Sequence, residues 1–347
     1  MNKQFLALFL CGSCIPLTGA VATASRSHQL VDALQDQQSS AEQSKDLAEA
    51  SRLTMSVMKL YQARDFDAAL PLARRVLEIT ERVLPPFDEQ VVLALINLGE
   101  IHFARGKAEE AKPFFERALK AYVQTLGPND LKLSRVLDSL ALVYYAMGPP
   151  ADAEKAYKQS LEIREQVLGS EQPDVAKSIY RLAEFYQYEG DYKKAQSLYQ
   201  RLIEIRVKLT PNSVALAEAL NGYACLLRKT NQEAEAEHKE ASARAILKPL
   251  DPSISPVNVG VVEGKALSLP VPVYPFLAKS AHVTGEVAVR VLIDESGGVI
   301  HACAVEGPRA LMKTSEAAAY RARFSPTLLE GKPVQVIGKV TYKFKNQ

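Results

Sequence analysis

The stretch Leu137-Asp-Ser-Leu140-Ala141-Leu-Val-Tyr144-Tyr145-Ala-Met-Gly148-Pro-Pro-Ala-Asp-Ala153 decides the fold, because the chain repeats it on both sides. Gly106, Gly148 and Gly190 mark one register at a constant spacing. Five residues on stand Ala69, Ala111, Ala153 and Ala195, and Ala236 one residue early. Seven before the register come Val57, Gly99, Ala141, Ala183 and Ala224; eleven before it come Leu53, Leu95, Leu137, Ile179 and Leu220. Self-similarity at a fixed period is the signature of stacked supersecondary units.

The internal periods say what each unit is. Leu137, Leu140, Ala141, Tyr144 and Tyr145 recur at helical spacing and make one apolar face. Gly148-Pro149-Pro150 breaks the run, and a second helix is predicted from Ala153 to about Leu168. Small residues at both registers let two antiparallel helices approach closely. Such a hairpin cannot bury its face alone, so neighbours must stack. At these residues the pattern resembles the tetratricopeptide repeat, in its longer kinesin-light-chain variety, over residues 47–247 in five hairpins. The resemblance implies an all-α solenoid whose first helices line a concave groove. Carried over position by position, the partner-facing residues are Tyr61, Phe103, Arg135, Tyr145, Lys177, Tyr180, Tyr188 and Arg228. Aromatic rings among charges of both signs suit an extended or helical peptide. Tyr144 and Tyr186 are expected instead to pack between helices, and for Tyr180 and Tyr188 the two roles are evenly balanced.

Ahead of the repeats, Met1-Asn-Lys3, an apolar run from Phe5 to Leu17 and the small residues Ala20, Ala22 and Ala24 read as a secretory signal over residues 1–24. The run is too short to span a bilayer. The expectation is export to the periplasm, with a lipoprotein anchored at Cys14 as the alternative and membrane attachment only in that case. Residues 25–46 are polar and read as a disordered or capping leader. With 42 basic and 40 acidic residues the charge is nearly balanced, which argues against nucleic-acid partners. A bridge between Cys225 and Cys303 would need the two domains docked in one particular way, so both are read as free buried thiols.

Beyond Ile246 the composition changes. Prolines and serines over residues 248–267 read as a linker. Glu286-Val-Ala-Val-Arg-Val-Leu-Ile293 alternates as a strand, Asp294-Glu-Ser-Gly-Gly298 is a turn, and Val299–Val305 returns as a second strand. A helix follows Pro308, and Val334–Phe344 alternates as the last strand. Residues 268–347 thus form a small α+β domain, a three-stranded antiparallel sheet with one main helix. Tyr274-Pro275, the Val-x-Val-x-Val strand after Gly285, Phe324-Ser-Pro326, Gly331-Lys-Pro-Val334 and Tyr342-x-Phe344 resemble the C-terminal domain of TonB. The resemblance departs where Pro270-Val-Pro272-Val273 stands in place of the family's glutamine-containing motif. It implies capture of a partner strand along the Val334–Phe344 edge, with Val336, Val340, Tyr342 and Phe344 selecting the sequence.

His28, His102, His238, His282 and His301 stand apart from one another, and no phosphate-loop, dinucleotide or nucleophile-elbow motif occurs. The sequence predicts no enzyme, no metal and no cofactor. Taken together, the expectation is a periplasmic protein–protein interaction scaffold with protein or peptide partners in the cell envelope, an outer-membrane transporter among them. The alternatives are an energy-transducing component of TonB-dependent uptake and an envelope assembly factor.

Overall fold

The computed structural model describes residues 18–148, 150–247, 256–275, 278–279 and 281–345. The signal segment's apolar run and Cys14 lie outside them. Ten helices come first: α1 (Thr18–Gln62), α2 (Phe66–Val83), α3 (Glu89–Ala104), α4 (Ala108–Leu126), α5 (Leu131–Met147), α6 (Pro150–Leu168), α7 (Pro173–Glu189), α8 (Tyr192–Leu209), α9 (Val214–Lys229) and α10 (Glu233–Leu247). They pair as five hairpins, and each hairpin packs on the next. The leader is helical rather than irregular. It opens α1, and Asp46 and Glu49 reach Arg82 and Arg75 of α2 at 2.8 and 3.4 Å.

Helix boundaries follow side-chain chemistry. Asp65, Asp88, Asp130 and Asp191 each accept a backbone N–H of the helix they precede, satisfying a donor the helix cannot pair. At two of the three register glycines the chain turns left-handed, φ +76° at Gly106 and +80° at Gly190, while Gly148, followed by two prolines, is extended. The terminal hairpins reach the same conformation without glycine, Arg64 at +60° and Asn231 at +59°. Close helix approach is equally literal. A Cβ on Gly99 would lie 2.9 Å from the Phe115 ring, so the aromatic residue of α4 fills the space left by a missing side chain on α3.

The C-terminal unit holds β1 (Val257–Val261), β2 (Ala266–Ser268), β3 (Gly285–Ile293), β4 (Val299–Glu306), α11 (Arg309–Ala319), β5 (Arg323–Phe324), β6 (Thr327–Leu329), β7 (Lys332–Val334) and β8 (Val336–Phe344). The expected β3, β4 and β8 are there, antiparallel, and α11 lays Leu311, Ala318 and Ala319 on the sheet. The Asp294 turn closes β3 onto β4. Gly297 sits there at φ +88°, its Cα so close to the Phe324 carbonyl that a Cβ would meet the oxygen at 1.8 Å.

The sheet has four strands, not three, in the order β1-β8-β3-β4. Part of the expected linker is β1, which pairs parallel to β8 from Val257↔Val336 to Val261↔Lys339. This removes the first half of the strand-addition edge. Val336–Lys339 of β8 are paired with the chain's own β1, and Val336, Val340, Tyr342 and Phe344 are core residues facing inward, not side chains free to select a partner sequence.

Candidate functional site: a divided concave groove

The odd-numbered helices line one face of the solenoid, where α3 touches α5 and α7 touches α9. In its first part this face is open. A cavity of about 440 Å³ is lined by Leu93 and Ile96, with Leu142, Glu100, Arg135 and Lys177. Arg135 and Lys177, both named from the sequence, are exposed; Leu93, which the sequence reading passed over, is 45% exposed. Burial lifts the Glu100 carboxyl above its ordinary range, and Arg135 opposes that shift. Beneath the groove, Asp138 accepts from Ser160 Oγ at 2.6 Å and from Arg164 at 2.8 Å, and also receives Arg181. A buried carboxylate must be paired and hydrogen-bonded, and this network does so while tying α5 to α6 and α7. It fixes the floor of the groove.

The other sequence-derived positions scatter. Tyr61, 37% exposed, stacks edge-on against Phe66 at 5.3 Å, and Phe103 is half-buried among core residues. Tyr145 packs edge-on against Phe185 at 5.6 Å, which favours packing over docking. Tyr144 and Tyr186 donate to Glu116 and Glu154 at 3.1 and 2.6 Å, serving the helix pairing expected of them.

In its last part the groove is occupied by the C-terminal unit. Tyr188 is buried and donates to Glu316 of α11, whose other oxygen accepts the Ala304 N–H at 2.6 Å. Burial raises the Glu316 carboxyl, against the lowering effect of those two hydrogen bonds. Lys229 Nζ lies 3.2 Å from Met312 Sδ, and Arg309 donates to the Glu189 carbonyl at 3.0 Å. Arg228 is no free anchor: it pairs with Glu240, which Arg290 of β3 also grips at 2.7 and 2.8 Å. Burial alone would raise Glu240, but Arg290, Arg228 and His301 outweigh it and hold the carboxyl below its ordinary value. His301 is itself fully buried, and desolvation lowers it to about 4. Tyr188 therefore binds the chain's own second domain, and Arg228 binds Glu240 of α10, the carboxylate that Arg290 of that domain also grips.

Cys225 and Cys303 complete this seam as a disulfide, Cα–Cα 5.7 Å, joining α9 to β4 across 78 residues. The expectation of free thiols fails because the domains dock in the one arrangement that permits the bond. Glu316 lies beside the pair, and these three are the one group of metal-ligand type gathered among the described residues. With the sulfurs bonded to each other, it is a disulfide next to a carboxylate.

The model of the tetratricopeptide repeat matches three times, at residues 46–122, 90–166 and 174–248, together more than half of the sequence. The chain belongs to the tetratricopeptide-repeat family. Residues 270–345 match the model of the Gram-negative bacterial TonB protein C-terminal domain. Among solved structures, BtubC (BKLC) from P. vanneervenii is similar at 20% identity over 62% of this chain and 94% of that one, TM-score 0.52. The kinesin-light-chain TPR-like repeats of Podosopora anserina are similar at 22% over 57% and 94%, TM-score 0.52. Aspartyl phosphate phosphatase F from Bacillus subtilis is similar at 14% over 62% and 55%, TM-score 0.53. These likenesses concern the solenoid fold. A comparison with curated proteins finds no match. As a tetratricopeptide-repeat protein the chain is a protein–protein interaction scaffold, carrying a domain of an envelope-associated family. Among the described residues no helix is long and apolar enough to cross a membrane.

Proposed function

We propose that this protein is a periplasmic scaffold that holds a partner polypeptide in the open part of its groove, with the TonB-like domain docked as the groove's end wall. The observation that carries this reading is the contrast at the groove itself. Arg135, Leu93 and Leu142 stand around a cavity of about 440 Å³ with Lys177, which pairs with Asp174 of its own helix at an exposed site, while Tyr188 and Arg228 are claimed by buried partners. Half-exposed aliphatic anchors flanked by both charge signs suit a peptide whose apolar residues seat and whose charges set register.

Three things support the periplasm: the N-terminal pattern, the envelope association of the TonB C-terminal family, and a disulfide, which persists in oxidising compartments. Strand capture along β8 is disfavoured, since β1 already occupies its edge from Val336 to Lys339. Among the broader functions, an envelope assembly factor is favoured over an energy transducer by one observation. The C-terminal sheet is tied to α9 through β4 and so acts as part of the solenoid's own architecture.

The test is site-specific photocrosslinking in Gram-negative cells, with the photoreactive residue at Leu142. One discrete partner adduct is expected, disappearing when Arg135 is changed to Glu. An adduct at a convex position such as Val207 but none at Leu142 would place the interaction elsewhere.

A further inference from the structure

The seam between the two domains encloses a second cavity, of about 340 Å³, that neither domain could form alone. The solenoid gives it Tyr180, Glu218 and Asn221 from α7 and α9 and Leu247 from the end of α10; the C-terminal domain gives Ile300 of β4 and Tyr320 after α11. This is within the size range of ligand sites, which favour domain junctions.

Its chemistry is one-sided. Among the described residues no lysine or arginine lines it. Glu218 is exposed at its rim, and Glu184 stands nearby on α7; neither has an ion pair among the described residues. Both carboxylates bear on the same rings. The Tyr180 hydroxyl is held well above its ordinary value by burial, then by Glu184 and also Glu218. Tyr320 is pushed up to about 12, again by burial first, with Glu316, Glu184 and Glu218 adding to it. The neighbouring recess of about 120 Å³, which shares Tyr180 and Glu218 with this cavity, does hold cations, namely Lys177, Arg181 and Arg206. Lys177 is paired with Asp174 at 3.0 Å and Arg181 with Asp138, so two of the three are already satisfied.

The Glu218 carboxylate at the rim with Glu184 nearby, the rings of Tyr180 and Tyr320, and aliphatic walls from Leu247 and Ile300 make a receptor for one kind of group. It has a long apolar stem and a positively charged head, with the stem lying on the aliphatic wall and the charge over the rings and beside the carboxylates. We infer that the seam cavity seats a lysine or arginine side chain of a partner polypeptide. That the occupant is a polypeptide rests on the scaffold reading; the preference for a cation does not.

The full chain is titrated at low salt with acetyl-Ala-Lys-Ala-amide, following the tyrosine ring resonances. The peptide should shift Tyr180 and Tyr320. The peptide with norleucine for lysine should bind about tenfold more weakly. Glu218→Gln, at an exposed helical position, should cost about as much. Tyr320→Leu, which keeps an apolar contact but removes the ring, should weaken the lysine peptide several-fold and leave the norleucine peptide unchanged. Arg135→Ala, in the open groove, should change nothing here, so a failed groove and a failed seam site give different results. Equal binding of the norleucine peptide, or indifference to both Glu218→Gln and Tyr320→Leu, would overturn the inference. Spermidine binding where the lysine peptide does not would also overturn it, giving the site to a free polyamine.

Discussion

Repeats two to four and repeats four to five are cut from the same hairpin, yet the first leave Arg135 and Lys177 facing solvent while the second bury Tyr188 and Arg228 under another domain. All four lie on first helices of their hairpins, Arg135 and Lys177 near the helix starts and Tyr188 and Arg228 in the last turns; what also differs is what lies opposite. The repeat therefore specifies where a side chain points and leaves its occupant to the rest of the chain. The groove has an open half and a half already filled, and a partner meets only the first.

The sharpest way to break this division is to cut the covalent tie. Replacing Cys225 and Cys303 together by Ser removes a cross-link closing 78 residues, which should lower stability by about 4 kcal/mol. Denaturant unfolding of the two forms measures it. If the occupied half depends on the tie, the variant should lose the C-terminal transition first and keep the repeat transition. Coincident transitions at the wild-type midpoint would mean that docking needs no bond.

The seam should also be the acid-sensitive half. His301 titrates near 4 when folded against an ordinary 6.5, so the unfolded chain binds the proton more readily between those values. Stability contributed by neutral His301 is present above 6.5 and is lost as pH falls towards 4, by up to about 3 kcal/mol. Glu316 works in the opposite sense: its raised carboxyl favours the folded state at low pH, and that contribution is lost as pH rises from the ordinary carboxylate value through the raised one. The two are separated by comparing wild type with His301→Gln across the range. The difference between them should grow as pH rises from 4 to 6.5; a constant difference would remove His301 from the account.

A smaller effect probes the same face. Tyr188→Phe takes one of two donors from the buried Glu316 and should cost about 2 kcal/mol. The matching change in the open half, Leu142→Ala at a half-buried position, should cost less in stability while weakening partner capture. Smallest is Arg64→Gly in the first hairpin. Arg64 holds a left-handed backbone that glycine adopts freely, so the exchange should stabilise by about 1 kcal/mol, read as a higher unfolding midpoint.

What was legible in the sequence follows the same line. Gly106, Gly148, Gly190 and the alanines that follow them encode local contacts, so the hairpins and their stacking could be read directly, as could the Asp294 turn and the alternation of β3 and β8. At the two ends Arg64 and Asn231 stand where the glycine would, and the register is carried by Leu53, Val57 and Ala69 and by Leu220, Ala224 and Ala236 instead. The fate of Cys225, Tyr188 and Arg228 was not legible. Cys225 and Tyr188 depend on contacts 78 and 128 positions away in another domain, and Arg228 on a carboxylate of α10 that Arg290 of that domain shares; no local period records any of these. The strand β1 was hidden for a related reason. Val257-Asn-Val-Gly-Val261 alternates weakly among prolines, and its partner β8 lies at the far end of the chain.

The bridge between α9 and β4 also sets how the molecule would carry a mechanical load. A tug on the C-terminal sheet passes through β4 and the two sulfurs straight into α9, bypassing α10, β1 and β3. Those 78 residues are spared tension until the sulfur bond is reduced. In a single-molecule stretching trace they would appear as missing length, restored by a reductant.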